Sequence, residues 1–193
     1  MKIILTMLLT MLPVVLGAAA NMLLTKTAFF KSHRKPIDGG KMLGSERIFG
    51  ENKSWIGFFS YIVCCTAAQL LVGFMCRGLH LDAWNQMYAL HRNTVPYNLL
   101  VGSLFGLAYA LFELPNSFLK RRFHVPSGGH AKGAKGVFFF ILDQVDSLIG
   151  CAIVIGVFSD ARFLKLVQYV LLGAFVHILV NLLLMALHAR KSL

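Results

Sequence analysis

The stretch from Gly136 to Phe158 reads GVFFFILDQVDSLIGCAIVIGVF, and its middle carries Asp143-Gln144-Val145-Asp146. The flanks are apolar enough to cross a bilayer, which needs about 20 residues in a helix. A carboxylate at mid-membrane depth costs roughly 2.5–3.5 kcal/mol on insertion scales, so two of them mark a functional position. Their spacing of three puts both acids on one face of a helix, with Gly150 a further turn along. Side by side they repel, and they need protons, cationic partners or a metal ion. A structural polar pair between helices is the plainer alternative. The basic run Lys120-Arg121-Arg122 lies one loop upstream. Paired acids beside clustered bases suggest a site for Mg²⁺ and a phosphorylated substrate.

The rest of the chain fits an all-α polytopic membrane protein. Of its 193 residues 57% are hydrophobic and only 14% charged, too few charges for an ordinary soluble domain. Its polar loops are too short to build a second core, so residues 1–193 read as a single integral-membrane domain. The net charge of +11 suits loops that hold a protein against the cytoplasmic face. No groove-reading motif accompanies it, so nucleic acid is not an expected partner. Cys64, Cys65, Cys76 and Cys151 form no C-x-x-C and indicate neither zinc nor a disulfide framework. His33, His124 and His130 fall in polar loops that could touch a substrate. His177 sits in the last apolar segment, where helix packing is the simpler role.

Five apolar segments are expected to span: Ile3–Leu24, Trp55–Cys76, Tyr97–Glu113, Gly136–Phe158 and Leu164–His188. Lys2, the apolar run after it and Gly17-Ala18-Ala19-Ala20 also resemble a cleaved secretory signal. Cleavage would leave the following loop outside. That loop holds Lys26, Lys31, Arg34, Lys35, Lys41, Arg47 and Lys53, which the positive-inside rule keeps in the cytoplasm. The segment is therefore expected to be a retained helix, kinked at Pro13, with the N-terminus outside and the C-terminus cytoplasmic. In that topology Lys120, Arg121, Arg122, Lys132, Lys135, Arg190 and Lys191 are also inside. Only Lys2, Arg77, Arg92, Arg162 and Lys165 remain on the other face. Both large polar loops, near residues 25–54 and 115–135, then meet the cytoplasm of a cell membrane.

The first of these loops carries Gly39, Gly40, Gly44 and Gly50, which permit tight turns and close backbone approach to a ligand. Asp38 is a candidate metal or ribose ligand. Lys53 stands just before a helix start, where its ammonium and free N–H groups could hold phosphate. An interfacial loop with snorkelling bases and Trp55 as aromatic anchor is the competing reading. Walker A spacing is absent. Arg77–Pro96 shows no constellation, and Asp82 is expected to be solvated. Glu113-Leu114-Pro115 is expected to end or kink the third helix. Should the helix resume, Glu113, Ser117 and Lys120 share a face. Arg121 and Arg122 offer two forks for phosphate, or a stop signal touching anionic lipid. His124–Lys135 reads equally as a lid or an ordinary loop.

Four pieces in this order resemble a known family: Pro36-Ile37-Asp38-x-Gly40, Gly50-Glu51-Asn52-Lys53-Ser54-Trp55-x-Gly57, Asn116-Ser117-Phe118-x-Lys120-Arg121-Arg122 and Asp143-Gln144-x-Asp146. The set is similar to CDP-archaeol synthase, a membrane cytidylyltransferase of the CDP-diacylglycerol synthase superfamily, over about residues 21–150. The resemblance implies five spans and a reaction. CTP and an isoprenoid-ether glycerol phosphate yield CDP-archaeol and pyrophosphate with Mg²⁺, for phospholipid biosynthesis. It implies that Asp143, Asp146 and Glu113 hold Mg²⁺ and that Asp143, Asp146 and Lys120 carry the catalysis. Lys53, Lys120, Arg121 and Arg122 would bind phosphates. Asp38, Asn52, Asn116 and Ser117 would shape the substrate site. The implied partners are CTP and a lipid phosphate drawn sideways from the bilayer, and a homodimer stays open.

Three departures stand out. Glu113 follows Phe112 where the family has aspartate after glycine. Lys53-Ser54-Trp55-Ile56-Gly57 replaces Lys-Thr-Trp-Arg-Gly, losing an arginine. The loop after Arg122 is enriched in Gly and Lys. Competing classes are a cytidylyltransferase for phosphatidic acid or another lipid phosphate, an ion-coupled transporter using the two aspartates, and a non-catalytic membrane partner.

Overall fold

A computed structural model describes residues 2–129 and 131–186 of the chain. Five long helices meet the length and hydropathy needed to cross a membrane. They are α1 (Lys2–Leu24), α3 (Trp55–Gly78), α4 (Val95–Arg122), α5 (Gly133–Phe158) and α6 (Phe163–Ala186). Between α1 and α3 lie a short helix α2 (Ala28–Ser32) and a hairpin of β1 (Met42–Leu43) and β2 (Glu46–Arg47). Two short 3₁₀ turns, Asp82–Trp84 and Gln86–Tyr88, fill the α3–α4 connection. Expected segment ends at His188, and the bases Arg190 and Lys191, lie outside the described residues, as does His130.

Local chemistry sets the helix starts. Ser54 caps α3 by accepting a hydrogen bond from the Gly57 N–H at 3.3 Å, and Thr27 caps α2 through the Phe30 N–H at 3.3 Å. Proline near the first turn of α4 needs no amide partner there. The last turn of α4 holds Lys120, Arg121 and Arg122, where cations complement the helix dipole.

The helices close into a bundle because small residues let backbones approach. On α4, Gly102 and Gly106 face α3: a Cβ on Gly102 would lie 2.7 Å from the Thr66 Cα, and one on Gly106 would be closer still to Ile62. This is the small-xxx-small pattern of membrane helix pairs. Gly17 of α1 meets Cys65 in the same way. α4 is thus flanked by α3 and α5, α1 lies on α3, and α6 rests on α5 with slight contact to α1. Cys65, Val101, Phe105, Tyr109, Cys151 and Tyr169 form the buried centre, while Phe59, Val63, Leu71 and Phe74 of α3 face outward.

The first apolar segment forms a helix packed into the bundle. Met7, Met11 and Val14 are buried, and Thr10 accepts the Gln86 N–H at 2.9 Å. Two expectations need correction. The third span does not stop at Glu113: α4 continues through Pro115 to Arg122. The missing proline N–H removes one helical bond, and the neighbouring turns carry the helix on. The second polar loop therefore begins near 123 rather than 115. Asp82 is not freely solvated; it accepts a hydrogen bond from Asn93 Nδ2 at 2.7 Å.

Candidate active site

The continuation of α4 past Pro115 builds the site. It adds a turn and a half on which Asn116, Ser117, Lys120 and Arg121 follow Glu113 toward α5. Asp143 and Asp146 answer from α5, three residues apart and facing Asn116. The Asn116 amide donates to Asp143 Oδ1 at 2.6 Å and to Asp146 Oδ2 at 2.6 Å. Lys120 Nζ lies 2.6 Å from both Asp143 oxygens. The other Asp146 oxygen accepts from the Ser147 N–H at 2.6 Å and its hydroxyl at 3.0 Å. One ammonium and one bridging amide thus hold the two carboxylates beside each other within a helix long and apolar enough to span.

Glu113 takes a different place. Its Oε2 accepts from Lys53, the last loop residue before the Ser54 cap, and its Oε1 from the Tyr61 hydroxyl at 3.2 Å. Tyr61 is in turn stacked on Tyr109, with ring centroids 4.6 Å apart. In this arrangement Glu113, expected to hold Mg²⁺ with Asp143 and Asp146, is bonded to Lys53 and Tyr61. Among the described residues no group of three His, Cys, Asp or Glu side chains is placed to hold an ion.

The two neighbouring arginines part company. Arg121 is 6% exposed, lines the cavity, and its Nε has no hydrogen-bond partner among the described residues. Gly50, at φ +91°, brings the first loop against its stem: a Cβ there would sit 3.4 Å from Arg121 Cδ. Arg122 is turned away. It donates to the carbonyls of Leu43 at 2.5 Å and Arg47 at 2.7 Å and lies over the Phe118 ring. Arg122, expected to bind phosphate, thereby ties the hairpin to the end of α4.

Asp38, the expected substrate-site acid, is bonded within its own loop. Its carboxylate accepts from Arg47 Nη2 at 2.6 Å and from the N–H groups of Gly40, Phe49 and Gly50 at 3.0, 3.2 and 3.1 Å. Burial alone would raise its pKa; the guanidinium and the three N–H donors overcome that and bring it down to about 2. The same contact pushes Arg47 upward. Asn52 lines the cavity, with its side-chain oxygen accepting from Arg34 Nη2 at 2.5 Å.

These groups stand around one cavity of about 870 Å³. Its lining includes polar groups: Lys53, Glu113, Asn116, Lys120, Arg121 and the two aspartates. The lining also includes apolar residues: Val14, Ala18 and Met22 of α1, Phe140 and Leu148 of α5, and Gly173 and Val180 of α6. Such a cavity can take a ligand with an anionic head and a hydrocarbon tail. His177 also lines it. Sequence reasoning passed over Tyr61, although it lies one helical turn beyond Gly57, and over Arg34 and Lys31. Their signal was proximity to Lys53, which emerges only when the loop folds back on α3.

Residues 1–192 match the family described as CarS-like, CDP-archaeol synthase. The chain belongs to the CDP-archaeol synthase family. A curated CDP-archaeol synthase of Thermococcus onnurineus (strain NA1) is 30% identical over 116 residues, covering 60% of this chain. That aligned stretch spans only 56% of the relative's length. A solved structure described as an intramembrane enzyme for archaeal membrane lipid biosynthesis superposes with a TM-score of 0.58 at 19% identity. The match covers 91% of this chain and 92% of that one, a likeness of fold.

Proposed function

We propose that this family member transfers CMP from CTP to a glycerol-lipid phosphate, releasing pyrophosphate and leaving a CDP-archaeol-like lipid in the membrane. The observation that carries this reading is the pairing of Asp143 and Asp146 across the Asn116 amide, beside a buried Arg121 whose Nε lacks a partner. Acids gathered at one point and an unsatisfied guanidinium are what a metal-assisted phosphate reaction requires.

The donor set fits Mg²⁺. Asp143 and Asp146 supply hard carboxylate oxygens, and the Asn116 Oδ1 is buried without a partner among the described residues. When bound there, the ion would supply positive charge for the α-phosphate of the nucleotide. Arg121 and Lys53 bind non-bridging phosphate oxygens, and Lys120 moves its charge from Asp143 to phosphate as substrate enters. Glu113 orients Lys53. An oxygen of the lipid phosphate forms a bond to the α-phosphorus, and the bond from that phosphorus to the β-phosphate bridging oxygen breaks. Pyrophosphate carries away the electron pair. No protein nucleophile is needed, since positioning and charge stabilisation suffice. The apolar lining keeps the lipid tail at bilayer depth. The site end carries both basic loops, which supports a cytoplasmic active site.

The test is pyrophosphate release from CTP by purified protein with Mg²⁺, offering archaetidic-type ether phosphate and phosphatidic acid separately. Release with either lipid, abolished in Asp146→Asn, is expected, and the preferred lipid names the substrate class. Absence of CTP binding would overturn the reading and leave transport or a scaffold role.

A further inference from the structure

A second cavity of about 430 Å³ lies behind the Lys53–Glu113 pair, between the first loop, α3 and α4. Both cavities share Lys31, Asn52, Lys53, Tyr61 and Glu113, so the ion pair stands at their junction. The smaller one is lined by three cations, Lys31, Arg34 and Lys53, and among its lining residues Glu113 is the sole acid. That acid is already matched by Lys53. The chamber therefore has an excess of positive charge, and an anion of two or more charges suits it.

Arg34 reaches it through a short antiparallel bridge. Pro36 pairs with Ser54, the Ile37 N–H donates to the Lys53 carbonyl at 2.8 Å, and the Trp55 N–H donates to the Lys35 carbonyl at 2.9 Å. This pairing brings the segment that carries Arg34 to the start of α3, and Arg34 lines the cavity. Its guanidinium is held by the Asn52 oxygen. The other edge of its fork can bind a second acceptor. The capped start of α3 contributes Ser54 and Gly57 to the same wall.

We infer that this chamber seats the pyrophosphate end of the nucleotide, with Arg34 as a phosphate-binding residue. This deepens the cytidylyltransferase reading and rests on it. The α-phosphate stays in the larger cavity with the lipid head. The β- and γ-phosphates pass Lys53 into the smaller one, and Lys53 exchanges Glu113 for phosphate oxygen as they do. The leaving group is then already separated from the lipid when the bond breaks.

The experiment measures product inhibition by inorganic pyrophosphate, together with direct calorimetric titration of pyrophosphate into the purified protein. Arg34→Ala is expected to raise the inhibition constant and the KM for CTP about tenfold, the loss of a charge-assisted contact. The KM for the lipid should stay within about twofold of its original value, because the lipid head lies in the other cavity. Arg34→Lys, which keeps the charge, should retain most of the pyrophosphate affinity, which a merely structural defect would not predict. Unchanged pyrophosphate inhibition in Arg34→Ala, with turnover intact, would overturn the chamber assignment and leave the reaction standing. Pyrophosphate binding that depends on Arg34 in a protein that turns over neither lipid would sustain the chamber and sink the reaction. No pyrophosphate binding by the unaltered protein would overturn the assignment.

Discussion

Two polar clusters are buried in this bundle, one toward each end, and they are satisfied to different degrees. In the cluster beside the α3–α4 connection, Asn98 Oδ1 accepts from Gln69 Nε2 at 2.9 Å and from the Tyr88 hydroxyl at 2.8 Å. Its amide donates to Asn93 Oδ1 at 2.7 Å, and Asn93 donates onward to the Gly73 carbonyl and Asp82. Among the described residues only the Gln69 Oε1 is left over there. At the other end Asn116 Oδ1, Arg121 Nε and Gln144 Oε1 all lack partners, and all three residues line the large cavity. A closed network holds helices in place; an open one in a cavity has bonding capacity reserved for a ligand. Burial alone would not tell the two apart.

The sharpest way to break that comparison is to remove a carboxylate from the open cluster. Asp146→Asn should lower turnover by about a thousandfold, the scale of losing a key charge-stabilising group. Thermal stability should fall only modestly, since the amide oxygen can keep the Ser147 bonds and only the contact to Asn116 is lost. Asn98→Leu is the counterpart. It leaves Gln69, Tyr88 and Asn93 short of partners and should cost about 2–3 kcal/mol of stability. It should leave the KM for CTP unchanged. Catalytic loss without unfolding at one end and unfolding without catalytic loss at the other would confirm the division. A large fall in turnover for a well-folded Asn98→Leu would break it.

The same contrast recurs within two adjacent residues. Arg121→Gln should raise the KM for CTP between about tenfold and a hundredfold, because a charged hydrogen-bonding group contributes about 1.5–3 kcal/mol. Arg122→Gln should change that KM by less than about threefold. It should instead open the 42–47 hairpin to protease, since Arg122 bonds its carbonyls. Equal effects on KM would mean that both forks reach substrate.

Five spans and the face shared by Asp143 and Asp146 were legible in the sequence, because apolar length and a spacing of three translate directly into helix geometry. The continuation through Pro115 was not. Proline's local penalty is readable, but whether packing against α3 and α5 offsets it depends on tertiary contacts. The split between Arg121 and Arg122 was equally hidden. Neighbours on a helix point about 100° apart, and only the position of the folded hairpin decides which of them reaches the cavity. Asp38 was singled out as a ligand because acid followed by glycines resembles a binding turn. Its actual partners, Arg47 and three amides, come from the far side of the same loop.

That loop supplies the smallest effect and a pH test. Asp38 has its carboxyl held at about 2, against an ordinary value of 3.8. A carboxylate whose pKa is lower in the folded state contributes stability fully above the unfolded value. That contribution fades as pH falls through the folded one. The difference corresponds to about 2 kcal/mol, present above about pH 4 and lost progressively toward pH 2. Hydrogen exchange of the Phe49 and Gly50 amides should therefore accelerate over that window in the unaltered protein. Asp38→Asn should show fast exchange already at neutral pH, with no further change on acidification from this group. Because Gly50 lies against Arg121, the same variant should raise the KM for CTP by less than about tenfold, through a loosened loop rather than a lost ligand. A variant that abolished CTP binding outright while the loop amides stayed protected would return Asp38 to the substrate site and make the loop network incidental.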